Sequence, residues 1–195
     1  MTNNSEILAV YPSSLFLFPG EDLPLCVFDD ALKSIVNDSK KNGSRFGLEF
    51  IGNEDHNGWG TIVELKKVLD TNSIGEMVVL VTGVSFFRIQ RIEPKCQYHQ
   101  EAIVEEIELC DYSVNSDLID MYFDYKSAQN KNENKAYAHI NLLDVIKTFN
   151  LPSSEKFSYF ITSGSEKEQI VLRHLKMLTE ITRYETKYDQ KFSMN

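Results

Sequence analysis

Histidine is the first residue type in this sequence that could do chemistry, because clustered histidines bind metals. The four histidines are scattered along the chain: His56, His99, His139 and His174. None lies in a His-Glu-x-x-His motif or a Cys/His cluster, which a tetrahedral zinc site requires. The sequence therefore predicts no metal site. It predicts that His174 is a partly buried helix residue with a hydrogen-bond partner.

A Ser-x-x-Lys spacing, from Ser153 to Lys156, could pair a serine nucleophile with an activating lysine. The Ser-Asp-Asn and Lys-Thr-Gly elements that accompany this motif are missing from the sequence. We interpret Ser153 as a helix N-cap. Acidic neighbours such as Asp29-Asp30 do not face each other on a strand or on a helix, so they are solvated charge. We expect no catalytic residue.

Cofactor motifs and cysteine pairs are also missing. No Gly-x-x-x-x-Gly-Lys-Ser/Thr phosphate loop occurs, and no third glycine follows Gly58-Trp59-Gly60, so we expect no cofactor. The three cysteines, Cys26, Cys96 and Cys110, are an odd set without Cys-x-x-Cys spacing. This usage is typical of a reducing compartment, and we expect the cysteines to be buried thiols.

The charge of the chain is uneven. Among 195 residues the net charge is −9, and residues 1–111 carry 18 acidic and 9 basic residues, whereas residues 112–195 carry 11 of each. A phosphate backbone would be repelled by the first part, so we expect no nucleic acid partner. The sequence has neither a secretory signal nor a stretch of roughly 20 apolar residues. We therefore expect a soluble, cytoplasmic protein that does not bind membranes.

The elements that must position these residues fall into two parts, which predict an α+β fold. Residues 1–111 are punctuated by glycines and short apolar runs, which predict a β-rich domain with strands at 46–51, 61–69, 77–81, 86–92 and 102–109. The continuous run 77–81 predicts a central strand, and Gly83 predicts a hairpin between this run and the next strand. One helix, beginning after Asp29-Asp30 and ending at Gly43, interrupts the strands.

Residues 112–195 predict a helical region. Leu118, Tyr122 and Tyr125 share one helical face, and the polar tract 129–134 predicts a loop. Ser165 and Glu168 form a capping-box pattern before a long helix. On that helix an apolar stripe predicts packing against other elements: Val171, Leu175, Leu178 and Ile181.

Three aromatic residues, Trp59, Phe86 and Tyr98, are the candidates for contact with a peptide. Trp59 stands between two glycines, where the sequence predicts a turn, and it could fold back on the domain or serve as an exposed anchor. Phe86 shares a strand face with the polar Arg88, so it could join a surface patch, although aromatic residues beside a long apolar run more often lie in the core. Sheets with exposed edges capture extended peptides by adding a strand, a mode that needs no catalytic residue.

The β-rich part resembles the N-terminal, substrate-recognition domain family of Lon proteases over about residues 8–109. The residues that carry the resemblance are, in order, Leu15-Phe16-Leu17-Phe18-Pro19-Gly20, Leu23-Pro24-Leu25, Phe28-Asp29, Phe46-Gly47, Gly60-Thr61, Glu64-Leu65, Gly75, Val79-Leu80-Val81-Thr82-Gly83, Phe87-Arg88-Ile89 and Ala102-Ile103-Val104-Glu105. The remainder, with Glu168-Gln169 and Arg183, is similar to the family's trailing helices.

The resemblance implies a PUA-like β pseudo-barrel followed by a C-terminal helical region. It implies a stand-alone, non-catalytic domain that binds an unfolded polypeptide or a partner protein, because this sequence has neither the ATPase nor the Ser-Lys peptidase of Lon proteases. Two departures put family contacts in question: residues 28–32 replace Phe-Glu-Pro-Arg-Tyr, and Ser85-Phe86 replaces arginines.

Two alternatives stay open at this point. PUA-like barrels occur in RNA-modifying proteins, so an RNA-binding module is the second hypothesis, against which the net charge argues. A hydrolase is the third, and it would need convergent polar groups in a pocket. The sequence leaves the oligomeric state open and allows a homo-oligomer.

Overall fold

The structure is a computed structural model that describes residues 5–52, 58–94, 99–107, 114–129, 140–162 and 164–192. Its elements are, in chain order, β1 (Ser5–Ser13), β2 (Asp22–Val27), α1 (Asp30–Asn42), β3 (Phe46–Phe50), β4 (Trp59–Thr71), β5 (Met77–Ile92), β6 (Gln100–Ile107), α2 (Ser116–Ala128), α3 (Leu142–Lys147), α4 (Ser153–Ile161) and α5 (Gly164–Phe192). A β-rich first part and a helical second part confirm the predicted α+β fold.

The chain forms two compact units. The first contains Met1–Leu109 together with Pro152–Phe157, and the second contains Cys110–Leu151 together with Ser158–Asn195. Sequence patterns predict a boundary at residue 111 but give no sign that the start of α4 belongs with the strands.

The sheet of the first unit closes on itself. Its order is β2-β5-β4-β3-β1-β6, and β5 also pairs with β6. Strands β1, β3, β4, β5 and β6 therefore form a ring, and β2 adds to the first half of β5. The β1–β3 pair is parallel, and the other pairs are antiparallel. The central position predicted for residues 77–81 is confirmed.

The interior of the ring is filled around Phe87, which is fully buried. A Cβ built on Gly60 would lie 2.5 Å from the Phe87 ring and 2.2 Å from the Leu48 carbonyl oxygen, and one on Gly47 would lie 2.9 Å from the same ring. Glycine at these two strand positions therefore makes room for the phenyl ring. The apolar residues around Phe87 are Leu8, Val10, Ile62, Ala102 and Val104.

A second apolar cluster lies between the strands and α1. Leu32, Ile35 and Val36 of the helix are buried against strand residues that include Val79 and Val81. Both ends of α1 are set by local chemistry. Asp29 accepts a hydrogen bond from the Leu32 amide at 2.9 Å as the N-cap, and Gly43 ends the helix in the left-handed region at φ 66°.

The Tyr11 hydroxyl donates a hydrogen bond to the other carboxylate oxygen of Asp29, which ties β1 to the start of α1. This hydrogen bond to a charged acceptor raises the pKa of Tyr11 to about 12, with burial and the negative charge of Asp29 adding to the shift. Although burial acts to raise the pKa of Asp29, the hydrogen bonds from Tyr11 and from backbone amides hold it below its usual value.

Two predictions about β5 and the cysteines are wrong. Residues 77–92 form one continuous strand, so no hairpin turn occurs at Gly83. A Cβ on Gly83 would lie 2.5 Å from the Phe18 carbonyl oxygen, so this glycine permits a close crossing of two chain segments. Cys26 is exposed, whereas a buried thiol was predicted. Cys96 and Cys110 lie outside the described residues. Strands β1 and β2 were not predicted.

In the second unit, α2 packs against α5. The predicted face of α2 is confirmed, since Leu118, Tyr122 and Tyr125 are buried. On α5, Val171 and Leu175 are buried as predicted, but Ile181 is exposed, because the buried stripe turns to Thr179 instead. Helix α5 begins at Gly164, one residue before the predicted cap, and the predicted loop at 129–134 lies almost wholly outside the described residues.

A capping box that was not predicted occurs at the start of α3, where Asn141 and Asp144 bond each other's backbone amides. Lys167 lies on the buried stripe of α5, and burial lowers the pKa of its ammonium. No helix in the described part of the chain combines the length and the apolar character that a membrane span needs.

Candidate functional site

Phe86 is not a surface residue, which corrects its prediction as a peptide contact. Its side chain is 0% exposed. The ring stacks on Phe16 with centroids 5.2 Å apart and meets Phe18 edge-on at 6.2 Å. The segment that contains Phe16 and Phe18 covers β5 at Phe86. Residues distant in sequence therefore bury Phe86, although Arg88, on the same face two residues further along the strand, stays exposed. Among the described residues, the aromatic cluster includes Phe16, Phe18, Phe50, Phe86 and Phe157.

The Ser-x-x-Lys motif at the start of α4 holds this aromatic cluster in place. The Ser153 hydroxyl oxygen accepts a hydrogen bond from the Phe16 amide at 3.1 Å. The Lys156 ammonium lies 2.7 Å from a carboxylate oxygen of Glu21 and over the Phe18 ring at 5.8 Å. Because both side chains are engaged in binding the 16–21 segment, the structure gives the motif a structural role.

Trp59 is half-buried as the first residue of β4 and keeps its place as a candidate contact. It pairs with Arg88 on β5, whose guanidinium lies 5.3 Å from the indole centroid. Arg88 also pairs with Glu105 on β6, so one row across three strands presents an aromatic, a basic and an acidic side chain. Such a row could bind a polar or aromatic segment. Tyr98, the third predicted contact, lies outside the described residues.

A half-buried carboxylate, Glu49, lies on the opposite face of these strands, the face that carries Phe87. Glu49 pairs with Gly60 and accepts a hydrogen bond from the Gly58 amide. Burial raises the pKa of Glu49 above its ordinary value, and the amide hydrogen bond opposes the shift in part. Among the described residues no group of three or more potential metal ligands comes together.

One apolar exposed surface of the first unit is on β2 and the first half of β5. Strand residues alternate between faces, and Leu25 and Val27 of β2 point into the core with Val79 and Val81 of β5. The opposite side is what we call the outer sheet face. It consists of the exposed Pro24 and Cys26 with the half-buried Val78 and Leu80. We count with it the exposed Phe28, which directly follows β2. Phe28 is 60% exposed.

The edge of β2 next to this face offers few backbone groups. Gly83 donates its amide hydrogen to the Glu21 carbonyl at 2.9 Å, so the β5-facing backbone groups of β2 belong to odd-numbered residues. Asp22, Pro24 and Cys26 direct theirs to the open edge, where proline has no N–H to offer. On the other side of β5, the second half of β4 is irregular, with two register shifts between Leu65 and Asp70. Both edges thus resist strand addition, and side-chain contact with the face is favoured over it.

Charged residues border the outer sheet face at its Asp22 end. Asp22 binds Lys66 at 2.8 Å and accepts a hydrogen bond from the Thr82 hydroxyl at 2.6 Å. These two hydrogen bonds, the one from Lys66 first, hold the pKa of Asp22 below its usual value. At the other end, Asp29 and Asp30 follow Phe28 directly. The outer sheet face is thus an apolar strip with charged residues at both ends, which is typical of a contact surface.

The fold defines the class of this protein as a mixed α+β pseudo-barrel with a C-terminal helical region. A family model described as the ATP-dependent protease La (LON) substrate-binding domain matches residues 7–182. The chain belongs to this family. Its membership supports a role in substrate recognition, and the match is to the substrate-binding domain, with no ATPase or peptidase domain matched in these 195 residues.

Solved structures of similar fold include two Lon N-terminal domains. A Lon N-terminal domain protein from Xanthomonas campestris has a TM-score of 0.61 and 20% identity, over 89% of this chain and 96% of that one. The N-terminal domain of the Mycobacterium avium complex Lon protease has a TM-score of 0.51 and 14% identity, over 91% of this chain and 98% of that one. No curated protein matches the chain.

Sequence reasoning missed the outer sheet face. The signal was present in the alternation of residues 22–28, in which Leu23, Leu25 and Val27 alternate with Asp22, Pro24 and Cys26. That pattern predicts a half-buried strand but cannot show that Phe28 stays exposed at its end.

Proposed function

We propose that this chain binds extended segments of unfolded polypeptide on its outer sheet face, without catalysing a reaction. The observation that carries the proposal is the exposure of Phe28, Cys26 and Pro24 beside Val78 and Leu80 on a well-formed sheet. Exposed apolar patches with a polar border mark interaction sites. Membership in a substrate-binding family supports a polypeptide as the ligand.

The spacing of the face suits an extended chain. Side chains two residues apart on a strand are separated by about 7 Å, and a bound segment in extended conformation has the same repeat. Pro24 and Cys26 lie at that repeat on β2, and Phe28 follows directly after the end of the strand. Alternate apolar side chains of the ligand can therefore contact them in turn. This geometry favours broad selectivity for apolar segments.

The acidic charge of the first part of the chain favours ligands that carry basic residues. The first 111 residues carry nine more acidic than basic residues, and Asp29 and Asp30 follow Phe28. A ligand with lysine or arginine next to its apolar residues would be attracted, and an acidic ligand repelled. Trp59, with Arg88 over its ring, and Tyr98 are proposed as additional contacts. We place the protein in the cytoplasm, a reducing compartment that suits an exposed Cys26.

The test is a binding titration with a fluorescently labelled polypeptide kept unfolded by reduction and carbamidomethylation. Phe28→Ser is expected to weaken binding about tenfold, since a buried phenyl contact contributes more than 1 kcal/mol. Ile7→Ser is the matched control, because Ile7 of β1 is 64% exposed and lies outside the face. The labelled polypeptide should stay intact throughout. Equal affinity of wild type and F28S would exclude the face, and no binding by wild type would refute the function.

RNA binding is the competing function, and filter retention with single-stranded and double-stranded RNA distinguishes it. The acidic first unit should retain neither at neutral pH. Retention that weakens as salt is added would reverse the assignment, because that dependence reports phosphate contacts.

A further inference from the structure

We infer that α5 carries a self-complementary surface by which two copies of this chain associate through antiparallel α5 helices. The inference is independent of the outer sheet face and of the proposed function. It concerns a side of the helix that differs from the buried stripe packed against α2.

The surface is a second apolar stripe with heptad spacing. Its residues follow one another at intervals of four, three, four and three: Ile170, His174, Met177, Ile181 and Tyr184. Such spacing is the pattern of a coiled-coil seam. Met177, Ile181 and Tyr184 are 50%, 44% and 65% exposed, so the described structure leaves the seam open to solvent.

The first half of the stripe has the shape that such a contact needs. Ile170, Arg173, His174 and Met177 line an open depression of about 360 Å³. His174 is held in this position by stacking on Phe149, with ring centroids 5.6 Å apart. A depression beside protruding apolar side chains can accept a side chain from a facing helix, as in knobs-into-holes packing.

Charges next to the stripe identify the occupant as a second copy. Four exposed charged residues lie along one side of the stripe, seven residues apart, and their charges alternate in sign: Glu166, Arg173, Glu180 and Lys187. In an antiparallel pair these flanking positions face each other. When Arg173 faces Glu180 of the second copy, Glu166 faces Lys187 of the second copy. All four contacts then join opposite charges, and none of these residues forms a salt bridge within the described part of the chain.

A parallel pair fits less well. There the flanking position contacts a residue five positions further along the second helix. Glu180 would face Glu185 of the second copy, and Arg173 would face the apolar Leu178. Like charges in contact are destabilising. The charge pattern therefore favours the antiparallel arrangement, in which the stripe residue His174 lies against Met177 of the second copy.

Sedimentation analysis of the full chain over a wide concentration range tests the inference. Wild type is expected to shift from monomer to dimer as concentration rises. Arg173→Glu or Glu180→Arg alone should raise the dissociation constant about tenfold, since each places two pairs of like charges in contact. The double variant R173E/E180R restores both pairs and should return the dissociation constant to near the wild-type value.

Met177→Glu should abolish the dimer, and circular dichroism checks that the variant keeps its helix content, as an exposed position predicts. A wild type that stays monomeric at every concentration would overturn the inference. A tighter dimer in E180R would also overturn it, because that result indicates parallel helices. A double variant whose dissociation constant stays raised would exclude the proposed pairing of charges.

Discussion

A missing Cβ at residue 60 allows the ring of strands to close around Phe87. Gly60 lies opposite Phe87 in the β4–β5 ladder, and the phenyl ring occupies the space where a side chain at residue 60 would begin. The Leu48 carbonyl on β3 approaches the same point. The glycine is needed for close approach of three strands, not for a turn.

Gly60→Ala is therefore expected to destabilise the protein by about 3 kcal/mol, because neither a strand carbonyl nor a buried ring can move aside cheaply. Urea denaturation measures the free energy of unfolding. Gly75→Ala is the comparison, since no atom lies within 4 Å of a Cβ there and only its φ of 78° opposes alanine. That change should cost about 1 kcal/mol. Equal losses in the two variants would refute the close-packing explanation.

Single-residue predictions from the sequence fail where the covering residues are distant in the chain. Phe86 shares a strand face with the exposed Arg88, and the local pattern gives no reason to separate them. Phe16 and Phe157, which bury Phe86 directly or through the aromatic cluster, stand 70 and 71 positions away. Trp59, whose neighbours Gly58 and Arg88 are local or paired in the ladder, is half-buried, which lies between the two alternatives that the sequence left open.

At the scale of elements, one ionic network joins four segments of the ring. Arg45, just before β3, donates two hydrogen bonds to Glu106 of β6 at 3.0 and 3.1 Å, and a third to Glu6 of β1 at 2.9 Å. Ser85 of β5 also donates to Glu106. Burial acts to raise the pKa of Glu106, but the hydrogen bonds from Ser85 and Arg45 outweigh it and hold this pKa below its usual value.

The lowered pKa of Glu106 predicts a loss of stability in acid. A carboxylate with a lower pKa in the folded state contributes stability above its unfolded pKa of about 4.3, and this contribution is lost as the pH falls through the folded value. Glu106→Gln should cost about 1 to 2 kcal/mol at neutral pH and flatten the decline below about pH 5. Chemical denaturation across that pH range measures both effects.

Glu64→Gln is the control for Glu106, because Glu64 is exposed on β4 and its side chain forms no hydrogen bond or salt bridge among the described residues. Its free energy of unfolding at neutral pH should stay within about 0.5 kcal/mol of wild type. An unchanged acid decline in E106Q would contradict the role given to the network.

Elements with local signals were predictable, and elements defined by distant pairing were not. Helix α1 was predicted because Asp29 and Gly43 set its ends through neighbouring atoms. Strand β1 was missed because Pro12 interrupts its pattern and its partners, β3 and β6, lie far along the chain. Strand β5 was divided in two because a glycine that permits a chain crossing looks the same in sequence as one that makes a turn.

For the whole molecule, the two units carry surfaces of different character. The first unit is acidic and presents an apolar strip on strands, and the second presents an apolar helix stripe with alternating charges. We assign ligand binding to the first surface and self-association to the second. The family resemblance was readable from the sequence because its motifs lie in strands and turns that shape the ring. The binding face was not readable, because it depends on which side of β2 the core leaves uncovered.

Cys26 allows the most direct test, because it lies in the middle of the outer sheet face and is exposed. Its rate of alkylation by iodoacetamide can be followed by peptide mass spectrometry with and without an unfolded polypeptide that lacks cysteine. If an extended segment binds the face, alkylation of Cys26 slows as the polypeptide approaches saturation, and in Phe28→Ser it slows much less. An alkylation rate at Cys26 that does not change while the polypeptide is bound would contradict the account.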